Sequence, residues 1–361
     1  MPTYDGREDE ERAMVVDTQQ PEPQAAPGGD SGARAAVTSR PRSEVAGDWL
    51  GRASVPLAFG VVVLIFTILR PAVFPTIGTF GSIFGSQAVL VVVTLGLLVP
   101  LRAGDYDLSV AGTLTLSSMI IGRLNGGGGI EIWIAVAIAL AVGVGVGLTN
   151  GFFVRVFGIN PFIVTLGMGT LLLGITLLIS GDQTYAGISP GLIDVVVTDR
   201  FLGIPLEFYY AVIVCIGVWY VFEHTTLGRR LLFVGSGREV ARLSGVRVER
   251  MRVGALVVAG VLAALAGILF AGTSGAANPT AGSDFLLPAY AAAFLGGTTI
   301  TPGRFNAWGT LVAAYFLVTG VTGLAILGIQ SWVQDVFYGG ALIVAVAFAQ
   351  LSRRRASQEI I

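Results

Sequence analysis

Apolar positions in this chain are gathered into long runs, and polar ones into the breaks between them. Ten such runs are read, near Ser54–Leu69, Ser82–Leu101, Leu108–Gly122, Ile132–Val154, Phe162–Ser180, Leu206–Phe222, Val253–Gly272, Phe285–Gly297, Ala307–Leu327 and Trp332–Leu351. Stretches of this length satisfy their backbone groups inside a bilayer as helices, at about 20 residues per span. The pattern predicts an all-α polytopic membrane protein of about ten transmembrane segments. Residues 1–50 differ: they hold ten acidic side chains against five Arg, with Pro, Gly, Gln and Ala between and no apolar periodicity. They are expected to form a disordered acidic tail. No basic start followed by an apolar core marks a cleavable signal peptide, so the first run is expected to be a retained helix. The expected organisation is a tail (1–50), a transmembrane domain (51–352) with one long polar loop (about 224–252), and a short terminal segment (353–361).

Segments three and eight are short, roughly 15 and 13 residues, too short to cross about 30 Å of hydrocarbon unaided. They are expected to be broken or re-entrant helices. Similar strings lead into them: Ala103, Gly104, Asp105, Tyr106, Asp107, Leu108 in one half and Ala281, Gly282, Ser283, Asp284, Phe285, Leu286 in the other. Short interrupted segments in matching halves point to inverted repeats and to a transport path. Asp105, Asp107 and Asp284 are the carboxylates nearest these runs. A carboxylate at mid-membrane costs about 2.5 to 3.5 kcal/mol on insertion scales, so each needs a reason. Helix capping and contact with a solute or water are both open. Gly143, Gly147 and Gly151, and later Ala259, Ala263, Gly267 and Ala271, form small-xxx-small ridges that predict close helix packing.

Composition agrees with the membrane reading: 53% hydrophobic, 12% charged, mean hydropathy +0.77. All 22 basic residues are Arg, which removes P-loop and Schiff-base lysine chemistry. One His and one Cys exclude a multi-ligand His/Cys metal centre and an internal disulfide. The chain therefore shows no energy source of its own; it borrows one or only equilibrates its solute. Arg is concentrated in alternate breaks. Arg40, Arg42, Arg52, Arg102, Arg155, Arg304, Arg353, Arg354, Arg355 and the seven of the long loop fall on one face, against Arg70, Arg123 and Arg200 on the other. That bias predicts both termini in the cytoplasm.

The long loop reads GRRLLFVGSGREVARLSGVRVERMR from Gly228 to Arg252, with a short helix expected over Arg238–Ser244. Gly235 and Gly237 form a lone G-x-G that follows no strand, a weak nucleotide signal. Val240 and Leu243 would anchor the helix in a partner's groove; a helix lying on anionic membrane lipid explains the Arg content as well. Glu223 and His224 are read as interfacial, and His224 is given no catalytic part.

These residues resemble a known family, the membrane permeases of ATP-binding-cassette importers for monosaccharides, over roughly Pro75–Leu351. GDYDLSV at Gly104–Val110 is similar to the family's G-x-D-L-S-V signature, and NPFIVTLG from Asn160 to its P-F-I-x-T-L-G run. Glu239–Gly245 resembles the E-A-A-x-x-x-G coupling motif with Val240 in place of the middle Ala, and NPTAGSDFLLPAYAAAFLGGTT follows in the family's order. Ala111 stands where the family has Gly after D-L-S-V, and Thr301–Phe305 replace its Gly-rich turn. The resemblance implies a substrate path along Gly104, Asp105, Asp107, Ser109, Asn160, Thr165, Asp284, Gly296, Gly297 and Thr298. It implies an ATPase-coupling set of Gly237, Glu239, Ala241, Leu243 and Gly245. It further implies a non-enzymatic subunit without cofactor, with ATP and Mg²⁺ held by a partner ATPase. Two permease copies, a periplasmic or extracellular substrate-binding protein and a bacterial inner membrane complete the expectation, with no nucleic acid. No Arg cluster lies within the short segments, so the cargo is expected to be a neutral monosaccharide or polyol rather than a sugar phosphate. A permease for branched-chain amino acids or nucleosides, and an ATP-independent secondary transporter or channel, remain the alternatives.

Overall fold

The computed structural model describes residues 42–358, with side chains for 52–347. The expected acidic tail up to position 41 lies outside the described residues. The helices are α1 (Arg42–Leu69), α2 (Ile77–Ser86), α3 (Ala88–Arg102), α4 (Ser109–Ile121), α5 (Ile132–Val156), α6 (Pro161–Ser180) and α7 (Pro190–Ile193), followed by α8 (Leu206–His224), α9 (Thr226–Ser236), α10 (Arg238–Leu243), α11 (Val248–Ser274), α12 (Ser283–Gly296), α13 (Ala307–Ile326) and α14 (Trp332–Gln358). Extended structure among the described residues is two antiparallel two-residue pairings, Tyr185–Ala186 with Ala276–Ala277 and Arg200–Phe201 with Ile204–Pro205.

The all-α membrane class holds. Seven helical stretches are long and apolar enough to cross a bilayer: Arg52–Leu69, Ile77–Arg102, Ile132–Val156, Pro161–Ser180, Leu206–His224, Val248–Ser274 and Ala307–Ile326. The remaining three expected segments are helical but shorter: α4 has 13 residues, α12 has 14, and the apolar part of α14 covers Trp332–Ala347. The helix α1 begins at Arg42, ahead of the expected Ser54, because extending a formed helix adds a hydrogen bond per residue without a new nucleus. The Ile77–Arg102 stretch is divided at Gln87 into α2 and α3.

Helix α3 forms the middle of the bundle, every residue from Ala88 to Arg102 being buried. Its sequence is apolar all round, as a helix enclosed on every side requires. Helix α11 packs on α5, α3 and α4, and α12 packs on α13, α14 and α3. The α5 glycines account for one of these contacts. A Cβ at Gly147 would stand 2.5 Å from the Val257 Cα, and one at Gly143 would stand 2.6 Å from the Gly260 carbonyl oxygen. Both small-residue ridges are thus consumed within one chain, α5 on α11 and, through Gly267 against Leu114, α11 on α4. Helix α9 was not expected from the run pattern. It is a short amphipathic helix laid across the ends of the bundle, with Leu231 and Val234 buried and Gly235 packed against the Arg102 carbonyl.

Candidate functional site

The lead-in to α4 is a polar turn whose two carboxylates, Asp105 and Asp107, are buried. Gly104 has φ +78°, in the left-handed region that a side chain opposes, and turns the chain out of α3. Asp105 follows at 1% exposure. It receives the Arg252 Nε of α11 at 2.8 Å and pairs with the Arg238 guanidinium, the first residue of α10. Arg238 also donates to the Gly104 carbonyl at 3.0 Å. Arg252 is shared with Glu249, which also takes Arg242, itself paired to Glu239 at 2.9 Å. One ion-pair network therefore ties the turn before α4 to α10 and the start of α11.

The next carboxylate has a different part. The Asp107 Oδ1 accepts the Ser109 N–H at 2.9 Å and the Ser109 hydroxyl at 2.6 Å, a cap on the first turn of α4. Asn150 of α5, wholly buried, donates to the Ser109 Oγ at 2.8 Å. Thr165 of α6 holds the same turn by accepting the Leu108 N–H at 3.1 Å and donating to the Tyr106 carbonyl at 3.2 Å. Asn160 lies at the start of α6, where its side chain accepts the Phe162 N–H, and it is exposed. Gly104, Asp105, Asp107, Ser109 and Thr165 are therefore brought together, and Asn160 stands apart as a cap.

The second short helix meets the first directly. The Gly282 N–H donates to the Thr115 Oγ1 at 3.0 Å, and Gly282 packs against the Ala111 carbonyl, leaving no room for a Cβ. Beside this crossing lies a cavity of about 270 Å³. Leu108, Ala111, Gly112 and Thr115 of the first lead-in and α4, Gly169 and Thr170 of α6, and Thr280, Ser283 and Leu286 of the second line it, and none of its lining residues is charged. Asp284 is exposed in the first turn of α12, with the Ser283 hydroxyl 3.3 Å from its Oδ1. Gly296, Gly297 and Thr298 sit at the opposite end of α12. The Gly296 carbonyl accepts Asn306 Nδ2 at 3.0 Å, and Thr298 Oγ1 donates to Leu295 O at 2.7 Å. That end is tied to α3 through Arg102, which donates to the carbonyls of Phe305 and Phe222 and pairs with Glu223 at 3.3 Å.

Helix α10 itself is seated through Ala241, buried with Val234 and Val248. Gly237 and Gly245 bound it, the latter with φ +79°. Glu239 is exposed apart from its pair with Arg242, and Val240 and Leu243 are 58% and 87% exposed. His224 is exposed and its ring lies edge-on to Trp219 and tilted against Tyr220. The run pattern missed Arg238, Arg252 and Asn150. The two arginines read as part of a general positive charge, while Asn150 was visible as a lone amide among the small residues of α5.

A polytopic helical protein whose short helices surround an uncharged cavity, linked to a basic surface helix, has the form of a membrane permease. Comparison with known proteins agrees: residues 79–346 match the family described as branched-chain amino acid transport system, permease component. The chain belongs to that family. It is 32% identical to the D-allose transport system permease protein of Escherichia coli (strain K12), over 81% of this chain and 89% of that one. It is also 32% identical to the ribose import permease protein of Bacillus subtilis (strain 168), over 80% and 90% respectively. The autoinducer 2 import system permease protein of Salmonella paratyphi B is 30% identical, over 73% and 81%. No solved structure matches the chain. The resemblance to sugar-importer permeases carried by the α4, α6 and loop motifs is borne out.

Proposed function

We propose that this chain is the permease subunit of an ATP-driven importer for a monosaccharide or related neutral polyol. The relatives named for allose, ribose and autoinducer 2 support this cargo class over branched-chain amino acids. The cavity between α4, α6 and α12 supports it chemically: Thr115, Thr170, Thr280 and Ser283 are among its walls, their hydroxyl protons bonded within the chain and their oxygens able to accept from a polyol, with apolar side chains between them. In this reading α4 and α12 are the broken helices of two inverted halves within about ten membrane segments. The Arg bias makes the α10 face cytoplasmic, with both termini.

The observation that carries the proposal is the bond between Arg238 and the Gly104–Asp105 turn. Helix α10 offers Val240 and Leu243 outward to an ATPase subunit while its first residue grips the lead-in of α4. ATP-driven movement of α10 is then passed to the turn beside the cavity, and two permease copies on two ATPases rock between outward-open and inward-open states. A substrate-binding protein delivers cargo to the far side.

The test uses the permease assembled with its ATPase and binding protein in liposomes. Leu243→Glu is expected to abolish co-purification of the ATPase. Arg238→Gln is expected to keep assembly but lose at least tenfold in cargo-stimulated ATP turnover. Wild-type turnover in both variants would overturn the coupling role, and saturable uptake of charged solutes alone would overturn the cargo class.

A further inference from the structure

On the α9 side of the bundle, a cleft of about 520 Å³ runs between α8 and α11 with α9 across its end. Gly217 and Val221 of α8, Leu231 of α9, and Gly254, Val258 and Leu262 of α11 are among its walls, and its lining is apolar except for Arg250. At that end it adjoins a second hollow of about 420 Å³, and Leu227, Arg250 and Met251 line both. Three guanidinium groups, Arg230, Arg247 and Arg250, line the second hollow. Among the described residues none of the three has an ion-pair partner. Their neighbours Arg238, Arg242 and Arg252 are all paired, and Glu249, the nearby carboxylate, is taken by Arg242 and Arg252.

We infer that the joined hollows form a binding site for one anionic phospholipid, its phosphodiester among Arg230, Arg247 and Arg250 and an acyl chain in the α8–α11 cleft. Charge complementarity selects the head: three unpaired arginines at the end of an apolar slot suit a phosphodiester, and basic pockets between membrane helices take such groups. Depth selects a lipid over a peptide. From Arg250 to Leu262 the cleft wall follows α11 for about 18 Å at 1.5 Å per residue, close to the roughly 15 Å of one hydrocarbon leaflet. Gly245 of the coupling set borders the second hollow, but the exposed anchors of α10, Val240 and Leu243, line neither, so the lipid site adjoins the surface proposed to meet the ATPase without including those anchors. Gly217 and Gly254 mark where a chain would lie, since a Cβ at either meets nothing within 4 Å. The inference is independent of which solute the permease carries.

The test takes the full chain purified in detergent and stripped of lipid. Phosphatidylglycerol, phosphatidylcholine with the same chains, glycerophosphoglycerol and inorganic phosphate are titrated separately, with native mass spectrometry counting bound lipid and the thermal midpoint reporting its effect. Phosphatidylglycerol alone is expected to bind one per chain and raise the midpoint. Replacing all three arginines by Gln is expected to weaken it on the order of a hundredfold, about fivefold for each charge. Gly254→Leu with Gly217→Leu is expected to fill the cleft and exclude the lipid, and Val258→Phe provides a second filling variant should the first not fold. Retained binding in both filled clefts, or equal binding of phosphatidylcholine, would overturn the site. So would an equal midpoint shift from inorganic phosphate, which would mark an anion site only. Displacement of the lipid when the ATPase subunit assembles would assign the arginines to that interface and also end the proposal.

Discussion

The two short helices begin with similar strings, yet the chain treats them in opposite ways. Before α4, both carboxylates of the string are buried and the turn is pinned, although Gly104 and Tyr106 are exposed: Asp105 is held by two arginines, Asp107 by Ser109, and the turn backbone by Thr165. Before α12, Ser283 and Asp284 are exposed, and the attachment is a close approach of Gly282 to α4 with one hydrogen bond from its N–H to the Thr115 Oγ1. The first string is a joint bonded to the α10 network; the second is the lip of the cavity. Alike residue types therefore do different physical work according to which neighbours reach them. Asp105, within reach of Arg252, is neutralised in place; Asp107 is buried without a guanidinium on the N–H and hydroxyl of Ser109; Asp284, with no guanidinium partner among the described residues and the Ser283 hydroxyl at 3.3 Å, stays exposed.

The largest break in this contrast is expected from Asp105→Asn. It leaves Arg252, with its side chain 8% exposed, short of a buried counter-charge, and removing one member of such a pair costs about 3 to 5 kcal/mol. Glu249 remains as a partner, so the lower end is expected, measured as unfolding free energy in mixed micelles. Gly282→Val comes next. A side chain there meets the Ala111 backbone, which cannot rotate away, and overpacking of this kind costs about 1 to 3 kcal/mol with loss of uptake. Ser109→Ala removes the acceptor of Asn150 Nδ2 and one donor to Asp107, both buried, for about 1 to 3 kcal/mol. Asn150→Leu in the same background is expected to return part of that loss, because the stranded amide goes with it. The smallest effect belongs to Ser283→Ala. Stability is expected to change by less than about 0.5 kcal/mol at this exposed site, while half-saturation for uptake rises about two- to tenfold at unchanged maximal rate. A stability loss at Ser283 equal to that at Ser109 would erase the distinction between joint and lip.

Much of this molecule was legible beforehand. The runs locate the long helices, length marks the two short segments, and the short helix expected over Arg238–Ser244 is present as Arg238–Leu243. The small-residue ridges of α5 and α11 predict close packing, and Gly147 and Gly267 supply it, while Gly260, outside the α11 ridge, takes the backbone of Gly143. Helix α9 escaped because Thr226–Ser236 is amphipathic and polar enough to read as loop; burying Leu231 and Val234 against the bundle stabilises it, and that contact is not local.

Hydropathy and residue type are properties of each segment alone, so the chain's sequence was enough to determine its class and the places of its long helices, though not their ends. Burial of a charge depends instead on which side chains converge on it. Asp105 joins Arg238 and Arg252 across 133 and 147 positions of sequence, and Asn150 reaches Ser109 across 41. No periodicity encodes such distances, since ion pairs and buried hydrogen bonds form wherever packing closes the gap and excludes water. Tertiary structure alone therefore decided that Asp105 is a joint, that Asp107 is a cap, that the lip at Thr280–Ser283 borders the cavity, and that three arginines share one hollow while their neighbours are paired.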